Sequence, residues 1–557
     1  LAAFAVRTHA SELWGAGRDV VATLVATFTK SGTPEHLVCL LELLHVLLAE
    51  ADDDRLDVDR DVRRAFMHTV RASSARVLEF LAQTLAQSGN NAKVHEGIFR
   101  CLASWVFWGD ISCATLMGAA PQLVSATFTA LAAPHLFDVA VDAALELTRT
   151  YDDFRLHGPV CTVLVPGVMA QAPRLRDAIA RGDDRTVTGL TRLVVELGFS
   201  YMDLIVGDAE INQGEVVATV LQSTLSPDTE VARMTLPFWG NLSRKLREAE
   251  DVEYGMNGGR PLPSQQSVAA RRKAQFQPMV QQLAQACVQR CVLSDDLFEA
   301  SVDAAQSRGG GGAVPREARS ATGERIDHRV GFAYCFKEDC VDLLGFAPCM
   351  DLAVAAVRSA WSTVARASGN AGQADNAWRL VEGALFAASA LLGAPGTHIE
   401  EYSSLQSLRD LVALIPRLCT DTAIYTAGYG QAMGGRARAV NLLVTRTCIG
   451  FLFDETAPRR ADLCRWFRAN SGANANLLGP LLQVVFNALL PSELSCMLAA
   501  DIPTIAAPAL RSVCAECPRS VPSDALYRFY AAVLSAGEVG GTAAAAAPGQ
   551  GAVAALR

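Results

Sequence analysis

The sequence has few aromatic residues, no excess of basic residues and no apolar run long enough to cross a membrane. Aromatic residues make up 7% of the 557 positions, and 49 Lys and Arg face 58 Asp and Glu, for a formal net charge of -9. This acidic balance argues against direct nucleic-acid binding and favours basic partners. The most apolar stretches, Leu477–Leu490 and Val381–Leu392, fall short of the roughly 18 to 20 uninterrupted residues of a membrane span, so we expect no membrane insertion.

Sequence patterns that carry catalysis or cofactor binding are also missing. No Gly-rich loop ends in Lys-Ser or Lys-Thr, and Gly428–Gly434 has Met433 where a dinucleotide fingerprint requires its third Gly. The nine His are dispersed, and no His-Glu-x-x-His motif or Gly-x-Ser-x-Gly elbow occurs. We therefore predict that the chain is not an enzyme and has no catalytic, cofactor-binding or metal-binding residue and no cofactor.

The 15 Cys are scattered through apolar stretches, which is typical of reduced core residues in a cytosolic or nuclear compartment. Three pairs have the spacing of zinc or redox sites, but each lacks a second pair nearby in the sequence, so two cysteines on one helix face is the favoured interpretation. These pairs are Cys287 with Cys291, Cys335 with Cys340, and Cys514 with Cys517. The isolated His45, His68 and His95 are interpreted as surface or hydrogen-bonded core histidines.

The composition that remains is typical of helices. Half of the residues are apolar, and the β-branched ones never form alternating runs. In Leu37–Leu48 only a narrow stripe containing Glu42 and His45 is polar, as expected of a helix buried on most sides. In Met279–Val292 the apolar residues recur every four positions with glutamines opposite, as on a one-sided surface helix. The sequence therefore predicts an all-α protein.

Segments of helix length follow one another with hairpin-to-hairpin spacings of roughly 40 to 50 residues, which fits HEAT-type units. A single helix pair cannot bury its apolar face, so neighbouring pairs must stack into an α-solenoid, the alpha-alpha superhelix also called armadillo-like. We expect a buried helix to pair with a half-exposed one in three places. These are Ala92–Val106 with Pro121–Leu131, Phe137–Thr148 with Val160–Met169, and Val216–Leu225 with Glu230–Leu246.

Glycine, proline and charge mark the breaks in this pattern. Gly258, Gly259, Pro261 and Pro263 indicate a loop, and the Gly-rich stretch before Pro315 indicates a flexible insertion. The chain starts at Leu1 within helix-like sequence, and we expect it to be a fragment of a longer protein. The predicted organisation is HEAT hairpins at 1–250, a loop at 251–268, HEAT helices at 269–306, a flexible insertion at 307–324, HEAT hairpins at 325–535 and a disordered tail at 536–557.

Several stretches resemble one family of helical-repeat receptors. Phe99–Trp105 reads Phe-Arg-Cys-Leu-Ala-Ser-Trp and closes at Gly109, and Leu40–Leu44 is followed after a turn by Arg63 and Arg64. Further similar positions are Phe238 with Trp239, Trp378 with Glu382, Leu385 and Phe386, and Ala509–Cys517. In this order they resemble the transportin-SR branch of the importin-β (karyopherin-β) superfamily, the receptors that import serine/arginine-rich splicing factors, with the importin-thirteen branch close to it. The stretches Ser307–Glu324 and Gly428–Gly435 depart from the family as insertions.

This resemblance implies a nuclear transport receptor that shuttles between nucleus and cytoplasm. Its partners in that family are the Ran GTPase in its GTP state, protein cargo such as serine/arginine-rich proteins, and nucleoporins. The Ran-binding repeats would precede this fragment and the arginine-rich cargo helix would follow it, so no cargo-binding or Ran-binding residue is assigned. The alternative is a generic HEAT-repeat scaffold for complex assembly, unrelated to Ran, such as a phosphatase regulatory subunit.

Overall fold

Every secondary-structure element in the described part of the chain is a helix. The structure is a computed structural model that describes residues 19–30, 33–52, 60–207, 213–260, 262–263, 266–306, 328–364, 366, 371–392 and 405–420, with single positions between 436 and 448 and at 480, 481 and 484. The chain divides into two units, Leu1–Arg272 and Lys273–Arg557, and each is described separately.

The first unit is built from short and medium helices joined by tight breaks. In chain order they are α1 Val20–Thr29, α2 Pro34–Asp52, α3 Arg60–Arg71, α4 Ser74–Gln87, α5 Ala92–Trp108, α6 Cys113–Ala119, α7 Pro121–Ala130, α8 Phe137–Thr150, α9 Phe154–Met169, α10 Ala172–Arg181, α11 Asp184–Ser200, α12 Met202–Val206, α13 Gln213–Thr224, α14 Thr229–Met234 and α15 Leu236–Met256. The boundary between the units lies inside the next helix, α16 Val268–Arg290.

Four of these helices form one continuous layer. Helix α2 packs on α5, α5 on α8, and α8 on α11, while α1, α4, α7 and α10 each pack on the layer helix that follows them. The layer helices α5, α8 and α11 begin at residues 92, 137 and 184, so successive units are about 45 residues apart, as in HEAT-type repeats. The predicted all-α, HEAT-type α-solenoid is confirmed.

One of the three expected helix pairings is wrong. Helix α5 pairs with the preceding α4 and not with Pro121–Leu131, and α7 pairs with the following α8. The other two expected pairs do touch, since α8 contacts α9 as well as α7, and α13 packs on α14. Helical periodicity reports which face of a segment is buried, but not which neighbour covers it.

Two predicted boundaries also need correction. Helix α15 continues to Met256, and the break begins at Asn257 with Gly258 and Gly259 at positive φ, so the loop predicted at 251–268 is shorter than expected. The segment Glu230–Leu246 is two helices, because α15 starts afresh with Pro237 in its first turn. Proline at that position suits a helix start, since the amide hydrogen that it lacks has no acceptor there.

Glycine allows two helices of the first unit to approach closely. A Cβ added to Gly198 of α11 would lie 2.5 Å from Cε2 of Phe238 in α15, which is fully buried. We expect Gly198→Ala to lower the free energy of unfolding by about 1 to 3 kcal/mol, because the ring must move within a packed core. The matched control is Gly118→Ala in α6, where a Cβ meets nothing within 4 Å; equal losses for the two variants in urea denaturation would contradict this packing.

A side-chain cap starts α11. The Asp183 Oδ1 atom accepts a hydrogen bond from the Thr186 backbone amide at 3.2 Å, just after Gly182 ends α10 in the left-handed conformation. We expect Asp183→Ala to cost about 1 kcal/mol of stability at neutral pH. Hydrogen bonding by Thr186 lowers the pKa of Asp183, so this stabilisation is complete above the ordinary Asp pKa and is lost as the pH falls through the folded-state value.

The measurement for Asp183→Ala is urea unfolding of both proteins at neutral and at acidic pH. The stability difference between wild type and variant should shrink as the pH falls, because the protonated carboxyl is a poorer acceptor. Asp177→Ala, on an exposed position of α10, is the control and should show little effect. A difference that stays constant down to acid pH would contradict the assignment of Asp183 as a charged cap.

The second unit contains a π-helical turn among its α-helices. Its elements are α16, α17 Asp295–Gln306, α18 His328–Cys335, the π-turn Phe336–Cys340, α19 Val341–Leu344, α20 Phe346–Val364, α21 Ala371–Leu391 and α22 Gln406–Thr420. Helix α20 packs on α21 and α22, and α21 packs on α18 and the π-turn. The predicted insertion at 307–324 and the tail at 536–557 lie outside the described residues.

None of the described helices combines the length and the apolarity that a membrane-spanning helix needs.

Candidate functional site

The exposed side of the layer in the first unit has a row of ion pairs across the junction of α8 and α11. We call it the α8–α11 seam, formed by Asp138, Asp142 and Arg149 of α8 and by Arg185, Arg192 and Glu196 of α11. Arg185 holds Asp138 with Nη2 2.7 Å from Oδ2. Arg149 Nη2 lies 2.8 Å from Glu196 Oε2, and Arg192 Nη2 lies 3.5 Å from Asp142 Oδ1. The seam therefore bridges two successive helix pairs of the solenoid.

Helical spacing explains how the sequence builds this seam. Asp138, Asp142 and Glu146 recur every four residues and share one stripe of α8, whereas Val141 and Leu145 are buried on the other side. The half-buried Glu146 has its pKa raised by burial, although Arg149 opposes the shift. The pKa of Arg149 is raised mainly by its hydrogen bond to Glu196.

These pairs contribute little to stability. The side chains of Arg192 and Asp142 remain 47% and 58% exposed, and exposed ion pairs of this kind are worth about 0 to 1 kcal/mol. Water and salt screen them, so their charges can be exchanged for those of a partner at small cost. The seam is thus better suited to recognition than to holding the fold together.

The stretch Phe99–Trp105 has a packing role between α2 and α5. Trp105 is fully buried and its Nε1 donates a hydrogen bond of 2.9 Å to the Leu44 carbonyl. Ser104 Oγ donates to the His45 carbonyl at 2.5 Å, and His45 Nδ1 lies 3.1 Å from the Arg100 carbonyl. These bonds join two neighbouring layer helices and leave Phe107 exposed at the end of α5.

The other residues singled out in the sequence lie apart from one another. His95 Nε2 is 2.9 Å from Ser88 Oγ, and Arg64 pairs with Asp61 on the surface of α3 at 3.1 Å. His68 is exposed on the same helix. The Gly428–Gly434 motif and the Cys514–Cys517 pair lie outside the described residues.

Three cysteines that are distant in the sequence meet in the second unit. The Sγ atoms of Cys287 on α16, Cys335 at the end of α18 and Cys340 at the end of the π-turn all lie within 4.8 Å of one another. All three are buried. Sequence reasoning treated each pair as two cysteines on a helix face and did not join the pairs. The signal available in the sequence was that two apolar segments each carry two cysteines, spaced four and five residues apart.

The electrostatics around these cysteines are unusual for a protein core. Hydrogen bonds from Cys335 and Cys340 lower the pKa of Cys287. Burial, then the Cys335 thiol, raises the pKa of the neighbouring Asp339 to about 9, and the acidic Asp342 and Glu338 push it in the same direction. Such a cluster of acids and thiols favours a bound cation or bound protons over free anions.

Comparisons with known proteins place two parts of the first unit in families. The family described as "Exportin 1-like protein" matches residues 10–143. The family described as "Transportin-3/Importin-13 second TPR domain" matches residues 182–257. These ranges cover α1 to α7 with the first half of α8, and α11 to α15.

Whole-protein relatives point the same way. Transportin MOS14 of Arabidopsis thaliana is 26% identical over 258 residues, which are 45% of this chain and 25% of that protein. Importin-13 of Homo sapiens is 27% identical over 270 residues, which are 46% of this chain and 27% of that protein. The matched part of the chain spans about a quarter of the length of these relatives.

One solved structure of importin beta aligns with 96% of the chain at 12% identity and a TM-score of 0.24. This TM-score is too low to support the fold, which is established by the packing of α2, α5, α8 and α11 in the first unit. The two family matches lie in the same order along the first unit, separated by residues 144–181, and they include the stretches of the sequence resemblance at Phe99–Trp105 and at Phe238 with Trp239. The family matches and the relatives together support similarity to the importin-β (karyopherin-β) family of receptors, with transportin and importin-13 among the similar proteins.

Proposed function

We propose that this chain is a segment of a nuclear transport receptor that binds protein cargo without catalysing a reaction. One observation carries the proposal: an exportin-like match and a transportin-3/importin-13 match follow one another along a single stack of helix pairs. A stack of this kind presents a long surface over which binding energy can be spread. Loading and release then require two shapes with different affinities, not an active site.

The seam is the part of the first unit that we assign to protein recognition. Its charges belong to two successive helix pairs, so a partner that pairs with Arg185 or Arg192 also changes the contact between α8 and α11. Binding at such a junction is coupled to the angle between neighbouring helix pairs, because that angle sets the distance between the paired charges of α8 and α11. The seam would thereby link partner binding to solenoid shape.

The finer parts of the proposal concern the identity of the partners. We infer that Ran in its GTP state sets the direction of transport and that serine/arginine-rich proteins are cargo. The receptor would bind nucleoporins as it moves between cytoplasm and nucleus. The acidic net charge of -9 suits basic cargo. The seam lies on a folded helical surface and carries charges of both signs, so we infer that it contacts a folded part of the cargo.

The experiment uses the full-length receptor with a serine/arginine-rich splicing factor and, separately, an isolated arginine-serine peptide. We expect the double variant Arg185→Glu with Arg192→Glu to weaken binding of the whole factor by about tenfold, because it removes the two guanidinium groups that would pair with acidic side chains of the factor's folded part. Binding of the isolated peptide should not change. The matched control is Arg176→Glu, an exposed residue of α10, which should leave both affinities unaltered.

The outcomes separate the possible functions. Equal loss of factor binding in the seam variant and in Arg176→Glu would contradict a specific role of the seam. A full-length receptor that retains neither the factor nor Ran in its GTP state would contradict the transport function and favour a HEAT-repeat scaffold for complex assembly.

A further inference from the structure

Three buried thiols of the second unit converge on one point from separate parts of the chain. The Cys287, Cys335 and Cys340 side chains are at most 1% exposed, and their Sγ atoms lie within 4.8 Å of one another. One thiol comes from the last turn of α16, and the other two come from the α18 and π-turn segment. Buried cysteines often serve simply as small apolar residues of the core. Core packing alone does not require three sulfur atoms to lie this close together.

The π-turn is the local feature that brings two of these thiols to the same side. Residues five apart in an α-helix point about 140° away from each other. In the wider π-turn Phe336–Cys340 the chain is underwound, so Cys340 returns toward the side of Cys335. Single π-turns are rare in proteins and occur frequently at functional sites.

Potential further ligands surround the three thiols. Cys291 lies just beyond the end of α16, is fully buried, and donates its backbone amide to the Cys287 carbonyl at 3.1 Å. Asp339 is 8% exposed, and its carboxyl group is within hydrogen-bonding reach of the Cys335 thiol. The negative charges of Asp342 and Glu338 raise the pKa of the Asp339 carboxyl. Lys337 Nζ lies 3.4 Å from Glu338 Oε1. The cluster thus has three sulfur donors and two candidates for a fourth ligand.

We propose that Cys287, Cys335 and Cys340 bind one Zn²⁺ ion through their sulfur atoms, with Asp339 or Cys291 as the fourth ligand. Structural zinc is usually held in closed four-coordinate sites, many of them with three or four cysteine thiolates, and a carboxylate oxygen is also a zinc ligand. Zn–S bonds of about 2.3 Å in a tetrahedron place the sulfur atoms about 3.8 Å apart. The Sγ atoms, which lie within 4.8 Å of one another, would need to approach by at most about 1 Å to bind the ion. Each thiol that binds loses its proton to solvent, and zinc undergoes no change of oxidation state.

Such a site would hold α16 against the α18 and π-turn segment across the long connection that separates them in sequence. A cross-link between residues far apart in sequence lowers the conformational entropy of the unfolded chain more than one between near neighbours. The metal would also offset the cost of the π-turn and of burying Asp339 beside other acids. The role assigned to zinc is therefore structural, as expected from the full burial of its ligands.

The test measures zinc in the full 557-residue chain, purified without chelators and then exposed to Zn²⁺ and dialysed. We expect about one zinc per chain in the wild type, and a loss of at least about tenfold in affinity for Cys335→Ser and for Cys340→Ser. The matched control is Cys349→Ser in α20, which is buried but lies outside the cluster, and it should retain the wild-type zinc content.

A second measurement does not depend on the stability of these variants. The wild-type chain loaded with Co²⁺ should show intense thiolate-to-cobalt absorption and the visible bands of a tetrahedral ion. Either Asp339→Asn or Cys291→Ser should change those bands and thereby identify the fourth ligand.

Three results would overturn the proposal: a wild-type chain that takes up neither Zn²⁺ nor Co²⁺, equal zinc content in Cys335→Ser and Cys349→Ser, or cobalt bands that neither Asp339→Asn nor Cys291→Ser alters. Mass spectrometry that finds two of the three cysteines joined in a disulfide in protein from reducing cells would also overturn it.

Discussion

Trp105→Ala is expected to lower the free energy of unfolding of the first unit by about 3 to 5 kcal/mol. The indole is fully buried between the layer helices α2 and α5, and its Nε1 donates to the Leu44 carbonyl at 2.9 Å. The substitution leaves a large cavity and also removes the indole hydrogen bond to that carbonyl. Urea unfolding followed by circular dichroism measures the loss.

Two further variants divide this effect into its parts. Trp105→Phe keeps most of the packing and removes the hydrogen bond, so it should cost about 1 kcal/mol from the lost bond and less in total than the alanine variant. Phe107→Ala, at a position 57% exposed on the same helix, should change stability by no more than about 0.5 kcal/mol. A Trp105→Ala variant as stable as Phe107→Ala would show that α5 does not pack on α2 as described.

Arg329→Ala in the second unit is expected to cost about 3 to 5 kcal/mol, because it leaves a buried charge without its partner. Arg329 Nη1 lies 3.1 Å from Glu382 Oε1 and 3.2 Å from Oε2, and the two side chains are only 15% and 3% exposed. Thr447 Oγ1 donates to the same carboxylate at 3.0 Å, and the guanidinium lies 4.2 Å from the centre of the Phe386 ring. Glu382 and Phe386, two residues of the sequence resemblance, thus both contact the Arg329 guanidinium.

The physical cause can be tested by removing both charges. Arg329→Met with Glu382→Leu should be much more stable than Arg329→Ala, since apolar side chains of similar volume replace a buried pair at little or no cost. The control is Arg358→Ala, whose partner Asp410 forms an exposed pair, with an expected cost below about 1 kcal/mol. If Arg329→Ala and Arg358→Ala are equally stable, the buried pair is not formed in solution.

The helices themselves could be predicted from the sequence because their apolar residues are regularly spaced. The segment expected at Ala92–Val106 is α5, Ala92–Trp108, and the one expected at Phe137–Thr148 is α8, Phe137–Thr150. The end of α15 was misplaced because Asp251 and Glu253 were interpreted as part of a loop, although charged residues are compatible with an exposed helix end. Pro237 gave a usable signal for the break between α14 and α15.

The contacts between helices could not be predicted in the same way. Periodicity identifies the buried face of α5 but does not reveal that α2 and α8, dozens of residues away on either side, cover it. The seam has the same origin, since Asp138 and Arg185 become neighbours only when α8 and α11 stack. The cysteine cluster was missed for a further reason: the π-turn changes which residues share a face, and helical spacing assumes that no such turn occurs.

The zinc proposal and the transport proposal are independent. The three cysteines lie in the second unit, whereas the family matches and the seam lie in the first. Loss of zinc should therefore lower the stability of the second unit and leave the binding contribution of Arg185 and Arg192 unchanged. This separation allows each proposal to fail without the other.

The most direct test of the account is the affinity of the full-length receptor for Ran in its two nucleotide states, measured by titration calorimetry with purified proteins. A nuclear transport receptor whose direction is set by Ran should bind the GTP form at least about tenfold more tightly than the GDP form, and the GTP form should alter cargo affinity by the reciprocal coupling. Equal affinity for the two forms, or no binding of either, would contradict the central claim.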